Sequence, residues 1–293
     1  MAWWQFSLNC QASELELVED LMQELGALSL SISDAGDEPI YEPLPGTTPL
    51  WKESVVTATF DTELDPEFLY QQISSALPTR LVASLHRHSL QERDWEQAYK
   101  QHFQPIQCAP GLWIVPSWSE PPEPQATVIV LDPGLAFGTG SHPTTALCLA
   151  WLASNPPTGS HVIDYGCGSG ILAIAALKLG AEHVLAVDID AQALTACRAN
   201  ARANHIDAGQ IQISTPENMD DDPTDLLVAN ILAGPLVELA PRFASLVRPG
   251  GYILLSGILK SQLEDIQLAY QSDFTLARAE VREDWVCLSG QRI

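Results

Sequence analysis

The sequence predicts a two-part chain: a small α+β module, then an α/β domain whose mainly parallel sheet is covered by helices on both faces. Three observations predict it. Beyond residue 107, continuous apolar runs alternate with helical stretches, which is the pattern of strands buried on both sides. One of those runs ends in a glycine-rich turn, HVIDYGCGSG (161–170), that feeds directly into a helical segment. The first 93 residues read instead as β-α-β-β-α-β, with no nucleotide loop and no catalytic constellation among them.

In the N-terminal module, WWQFSLNC (3–10) reads as a strand and SELELVEDLMQELGA (13–27) as an amphipathic helix closed by Gly26. LSLSISD (28–34) alternates like a half-buried strand, and the Pro/Gly-rich stretch DEPIYEPLPGTTP (37–49) reads as a loop. A strand VVTATFD (55–61), a helix starting near Asp65-Pro66 and a strand over LVASLHRHSL (81–90) complete a ferredoxin-like order. DWEQAYKQHFQPI (94–106) has the look of a linker helix ending at Pro105. The second domain, 107–293, opens with short strands at LWIVPSW (112–118) and TVIVLD (127–132), then a helix over 143–154. Strands HVIDYG, HVLAVDID, IQIST, DLLVANI and GYILLSGI follow, with helices between most of them. The tail, 274–293, holds two strand-like runs around a charged turn and is expected to add an antiparallel hairpin at the sheet edge.

Composition excludes several classes of function. With 46% hydrophobic residues the chain can bury a sizeable core, and it has no apolar run long enough to span a membrane. MAWWQFSLNC lacks the basic start of a secretory signal. The six cysteines are scattered, with no Cys-x-x-Cys pair, which argues against a zinc site or a disulfide framework and for a reducing cytoplasm. The net charge of −23 is shared between residues 1–93 (15 acids, 4 bases) and the remainder (22 acids, 10 bases). Such a field repels phosphate backbones and attracts a basic partner.

The chemistry gathers at a few places. Gly166, Gly168 and Gly170 allow a tight turn that a ligand can approach closely, and Asp188, 22 residues after Gly166, ends the next strand where an acid can accept ribose hydroxyls. Asp190 is the better N-cap for the helix that follows. In the plainer reading this is only a βα turn, but the acid at that spacing favours a ligand. The spacing is G-x-G-x-G, not the G-x-G-x-x-G of dinucleotide enzymes, and Asp164 precedes it. VANILAGPL (228–236) reads as a strand that stops on Asn230 before a Gly-Pro turn; an Asn there is either turn chemistry or a site.

The turn resembles motif one of the Rossmann-like S-adenosylmethionine methyltransferases, in which the preceding acid, here Asp164, helps hold the charged amino-acid end of the cofactor. LVRPGGYILLSG (246–257) is similar to the Pro-Gly-Gly entry to their fifth strand, and the C-terminal hairpin to their antiparallel seventh strand. VANILAGPL stands where methyltransferases acting on nitrogen often carry Asn-Pro-Pro-aromatic. Ile231 and Leu232 replace the two prolines, which points away from the glutamine-amide and adenine enzymes. Together LDPGLAFGTGSHPTT (131–145), VIDYGCGSGILAIAALKLGA (162–181), VANILAGPL and the YEPLPG segment closely resemble the bacterial ribosomal protein L11 methyltransferases, over essentially the whole chain. A eukaryotic mitochondrial lysine methyltransferase acting on an electron-transfer flavoprotein subunit shares the catalytic motifs.

The resemblance implies methyl transfer from S-adenosyl-L-methionine to lysine ε-amines and the N-terminal α-amine of ribosomal protein L11, up to trimethylation. It implies that Thr145, Gly166, Asp188 and Asn230 contact the cofactor, with Asp164, Gly168 and Gly170 completing the turn and Asn230 the catalytic position; no metal is implied. The N-terminal domain would hold the basic target, and a joint near residues 92–107 would let the domains reorient. His142, in a Ser-His-Pro turn, is either a general base or a helix-start residue, and Glu217 either lies beside the adenine or belongs to the solvated acidic run that ends at Asp222. Two other classes compete: a non-catalytic cofactor-binding module, against which the intact Asn230 loop counts, and a nicotinamide oxidoreductase, against which the glycine spacing counts.

Overall fold

The computed structural model of the chain describes residues 2–36, 50–91, 103–132, 140 and 142–293. It divides into two compact units, Met1–Tyr99 and Lys100–Ile293.

In the first unit the elements run β1 (Ala2–Gln11), α1 (Leu15–Glu24), β2 (Ser29–Asp34), β3 (Glu53–Asp61), α2 (Pro66–Ala76), α3 (Thr79–Val82) and β4 (His86–Gln91). The sheet order is β2-β3-β1-β4 with every neighbouring pair antiparallel, which is the expected ferredoxin-like arrangement. Strand alternation explains its core. Phe6 and Leu8 of β1, with Val56, Ala58 and Phe60 of β3, turn one way and pack on Val18 and Met22 of α1 and Leu69 and Ile73 of α2. Phe6 and Phe60 meet edge to face, 5.7 Å between centroids. One expectation is corrected: 81–90 is not a continuous strand. After the extended Pro78, whose carbonyl accepts from the Leu81 and Val82 N–H groups, the chain makes the single turn α3 and extends only from His86. The loop expected at 37–49 lies outside the described residues. So does most of the linker helix expected over 94–106; within the part described, 103–105 have no regular structure and Ile106 already starts a strand.

The second unit starts with a small sheet of β5 (Ile106–Ala109), β6 (Leu112–Val115) and β7 (Thr127–Val130), in which β5 and β6 are antiparallel and β6 and β7 parallel. Then come α4 (Pro143–Ser154), β8 (His161–Tyr165), α5 (Ile171–Lys178), β9 (His183–Val187), α6 (Ala191–Ala203), β10 (Ile211–Ser214), β11 (Thr224–Asn230) and α7 (Ala233–Leu246). The unit ends with β12 (Val247–Leu259), α8 (Leu263–Tyr270), β13 (Phe274–Leu276), β14 (Glu280–Arg282) and β15 (Trp285–Arg292). The main sheet is ordered β10-β9-β8-β11-β12-β15-β13, with β14 paired to β15. Its first five strands are parallel, and β15 is antiparallel to both neighbours. The predicted hairpin is therefore present as β14–β15, but β15 is inserted between β12 and β13 instead of closing the edge.

Both faces of this sheet are covered, as its unbroken apolar strands require. Val162, Val184, Ala186, Val228 and Leu254 face α4, α5 and α6, while Ile163, Leu185, Val187, Leu227, Ala229 and Leu255 face α7 and α8. The small sheet is fastened to this core by one buried amide. Asn204, just past the end of α6, accepts from the Val130 N–H (2.8 Å) and donates to the Val130 carbonyl (2.6 Å). Asn204→Ala removes both partners from a half-buried backbone, and an unpaired buried group costs about 1–3 kcal/mol. The expected loss is about 3 kcal/mol for the two groups together, read as a lower urea midpoint with an unchanged m-value.

Candidate active site

The strand order reverses between β8 and β11, since the chain builds outward from β8 to β9 and β10 and then returns to lay β11 on the other side of β8. In open α/β sheets the crevice at the carboxyl ends of the strands at such a point is where ligands bind. The sequence-predicted residues converge there. Asp164 pairs in register with Val228 and Tyr165 with Ala229, so Gly166 and Asn230 emerge side by side from adjacent strand ends.

The glycine turn is laid over the end of β9. Gly166 N–H and Cys167 N–H both donate to the Val187 carbonyl, at 2.7 and 2.9 Å. Asp188 continues the fastening: one carboxylate oxygen accepts from Gly168 N–H (2.8 Å) and the other from Asp190 N–H (2.9 Å). Asp190 in turn caps α6 by accepting from Gln192 N–H, as expected. Asp188 therefore shapes the turn as well as standing where an acid can meet a ribose; a carboxylate has about four acceptor positions, so two remain after these bonds. On the far side Asn200 of α6 donates to the Ser169 carbonyl (2.8 Å), a brace the sequence reading missed. Gly170, at φ +79°, sits so close to α6 that an added Cβ would be 2.5 Å from Cys197 Sγ. The hydrogen bond with that thiol, together with burial, pushes the pKa of the Cys167 thiol well above its ordinary value.

Asp164 is the most unusual group in the crevice. It is 1% exposed; one oxygen accepts from Ala173 N–H (2.9 Å) in the first turn of α5, and the other has no hydrogen-bond partner among the described residues. Burial pushes its pKa up to about 7, opposed by the Ala173 N–H and assisted by the negative charge of Asp188. A buried carboxylate oxygen with nothing to bind, beside a turn of three glycines at positive φ, fits a ligand carrying a cation or a hydrogen-bond donor.

Across the crevice, Asn230 donates its side-chain amide to Thr145 Oγ1 at 3.3 Å. Thr145 is 1% exposed in the first turn of α4, and Asn230 is half-buried. The Asn230 carbonyl-type oxygen has no hydrogen bond among the described residues. The two residues that the resemblance singled out, 85 positions apart, thus meet directly. His142 is the N-cap of α4. Its Nδ1 accepts from the Thr144 N–H (3.4 Å) and lies in hydrogen-bond contact with the Thr144 hydroxyl (2.7 Å). Burial lowers its pKa, with Glu283 opposing, and its ring packs edge-on against Trp285 at 5.0 Å. The helix-start reading describes this geometry. Glu217 lies exposed beyond β10, its pKa lowered by hydrogen bonds from its own backbone and from Thr215. In the acidic run that follows, Asp221 pairs with Arg242.

Three further residues belong to this site. Ile231 lies over Gly166, where an added Cβ would overlap its Cγ2, and its backbone lies against Gly257 of β12. Ser256, fully buried, pairs with Asn230 in register and donates to the Val286 carbonyl (3.1 Å), with the Thr144 carbonyl at 3.4 Å. The available signal was Gly257 inside the apolar run GYILLSGI, since glycine within a strand marks a bulge or a close backbone approach. Among the described residues no group of three His, Cys, Asp or Glu side chains could hold a metal ion, and no helix is long and apolar enough to cross a membrane.

Asp164 has a consequence for the free protein. Its folded pKa lies above the unfolded value near 3.9, so its contribution to stability is full below that value and is lost as pH rises through about 7. The cofactor-free chain should lose stability between pH 5 and 7 by up to about 1.4 kcal/mol per pH unit from this group. Asp164→Asn should flatten that part of the profile, measured as urea midpoints of the two proteins across the range.

Comparison with known proteins agrees with the geometry. The sequence model of the family described as ribosomal protein L11 methyltransferase (PrmA) matches residues 2–293. Proteins named ribosomal protein L11 methyltransferase from Marinobacter nauticus and Pseudomonas putida are 46% and 48% identical to it; the matches cover 100% of this chain in both cases and 99% and 100% of those proteins. A crystal structure of a ribosomal protein L11 methylase from Lactobacillus delbrueckii subsp. bulgaricus superposes with a TM-score of 0.58 at 37% identity, covering 65% of this chain and 99% of that one. The chain belongs to the ribosomal protein L11 methyltransferase family.

Proposed function

We propose that this protein transfers methyl groups from S-adenosyl-L-methionine to amino groups of ribosomal protein L11, both lysine ε-amines and the N-terminal α-amine. The observation that carries the proposal is the meeting of Asn230 and Thr145 across the crevice from the unpartnered oxygen of Asp164, in a chain matched by the family from residue 2 to residue 293. S-adenosyl-L-methionine supplies an electrophilic methyl group on a sulfonium. Asp164 is the residue suited to its ammonium, Gly166, Gly168 and Gly170 to a close approach of its amino-acid end, and Asp188 to its ribose hydroxyls.

The remaining work falls to positioning. Transfer from sulfur to nitrogen is an in-line displacement, so aligning the amine accounts for most of the catalysis. A free lysine is protonated at neutral pH, with a pKa near 10.4, and must enter as the neutral amine. Burial in the crevice favours loss of that proton. Asn230 gives its amide hydrogen to Thr145, and its oxygen is then an acceptor able to aim the nitrogen lone pair. The N-terminal ferredoxin-like unit is the proposed platform for the basic target. The net charge of −23 favours that partner over direct contact with nucleic acid. A cytoplasmic setting is part of the same proposal and is supported by the six free cysteines.

Incubation with labelled S-adenosyl-L-methionine and purified ribosomal protein L11 should place label on that protein, with mass spectrometry assigning it to lysines and the N-terminus. No label on it would defeat the substrate assignment. Asn230→Ala should lower kcat by about 10²-fold, the usual scale for a lost positioning group, while leaving the unfolding midpoint nearly unchanged. A collapse of stability with normal turnover per folded molecule would return Asn230 to turn chemistry.

Cofactor affinity should also follow the ionisation of Asp164, because an ammonium favours the charged form. Binding should tighten as pH rises from 6 toward 7, with a proton released per cofactor bound, read by calorimetry in buffers of different ionisation enthalpy. In Asp164→Asn both effects should vanish.

A further inference from the structure

The loop after β11 raises a mechanical question. In the enzymes with Asn-Pro-Pro, two prolines stiffen the backbone that faces the amine; here Ile231 and Leu232 occupy those positions and are free to rotate in isolation. The stiffness must come from packing. Gly257 supplies a surface for it. At φ +83° its backbone turns inward, and a Cβ added there would overlap the Ile231 carbonyl oxygen and lie 2.7 Å from the carbonyl carbon and 3.2 Å from the Ile231 nitrogen. All three atoms are backbone, so no rotamer change relieves the contact. The strand is bulged at this place: its pairing with β15 slips between Leu255 and Ile258, while its parallel pairing with β11 holds through Asn230 and Ser256.

The other side of the same residue is held as well. Ile231 Cγ2 fills the space over Gly166, at φ +78° in the cofactor turn. One residue is therefore gripped at its peptide by β12 and at its side chain by the glycine turn. Ser256 anchors the bulge in turn, through its hydroxyl to Val286 on β15 and its proximity to Thr144 beside Thr145. The Asn230 acceptor is thus referenced to the cofactor turn through the packed Ile231.

We propose that Gly257 is a positioning residue for methyl transfer: by admitting the Ile231 peptide against β12, it fixes the Asn230–Ile231 backbone that aims the amine, replacing the rigidity that proline gives in the Asn-Pro-Pro enzymes. This rests on the function proposed above. It does not depend on Gly257 touching either substrate.

The test compares wild type with Gly257→Ala, measuring kcat and KM with ribosomal protein L11, the cofactor dissociation constant by calorimetry, and thermal unfolding. The expected result is a fall in kcat of about 10²-fold, the usual consequence of a 1 Å displacement of a positioned group, with KM and cofactor affinity little changed. Should Gly257→Ala not fold, Ile231→Ala loosens the grip without the backbone clash and is expected to show the same split in milder form. Unchanged kcat in a folded variant overturns the proposal. Equal losses in kcat and cofactor binding also overturn it, since they would make Gly257 a general support of the crevice. A wild-type protein that leaves ribosomal protein L11 unmethylated overturns the functional reading itself, and this proposal with it.

Discussion

The site depends first on how the glycine turn is fastened to the strand beside it. Val187 offers one carbonyl to two consecutive N–H groups, from Gly166 and Cys167, and the N–H of the very next residue, Gly168, is taken by the carboxylate of Asp188. A turn held this way has little freedom left, and everything else in the crevice is set from it. Asp164 is buried because α5 begins where the turn releases the chain, Ile231 has a floor because Gly166 has no side chain, and α6 approaches because Gly170 has none. Three glycines are tolerated in this position because their conformational cost is offset by the hydrogen bonds they permit.

The electrostatics of the crevice and of the whole protein point the same way on different length scales. Within the crevice, burial and then the charge of Asp188 raise the cost of ionising Asp164, a cost that a cation bound beside it would relieve. At longer range the charge of −23 speeds the approach of a basic protein and falls away with salt over about 8–10 Å. The amine that reacts must nonetheless be neutral. Long-range attraction therefore acts on the target as a whole, and the local site must dry and orient one nitrogen of it.

Much of this was legible in the residues. Uninterrupted apolar strands separated by helices gave a parallel sheet, and the six-element order of the first module gave its antiparallel partner. The motif spacing placed Asp164, the three glycines, Asp188, Thr145 and Asn230 in one family pattern, and the structure brings them to one crevice. What escaped was of two kinds. Leu81 fits a helix and a strand equally well over so short a window, and the turn that α3 makes is set by the hydrogen bonds of the Leu81 and Val82 N–H groups to the Pro78 carbonyl. The links that run across the fold, Asn204 to Val130, Asn200 to Ser169 and Gly257 to Ile231, carry no local signature, because each joins residues whose closeness is created by the sheet order.

The insertion of β15 between β12 and β13 has an outcome in time. Ser256, next to the bulge that supports the Asn230 loop, finds its hydrogen-bond partner on Val286, and β12 has no neighbour on that side until β15 is in place. The bulge beside the crevice is therefore complete only once β15 has joined the sheet. A nascent chain that already displays the glycine turn and Asn230 still lacks the strand that steadies them.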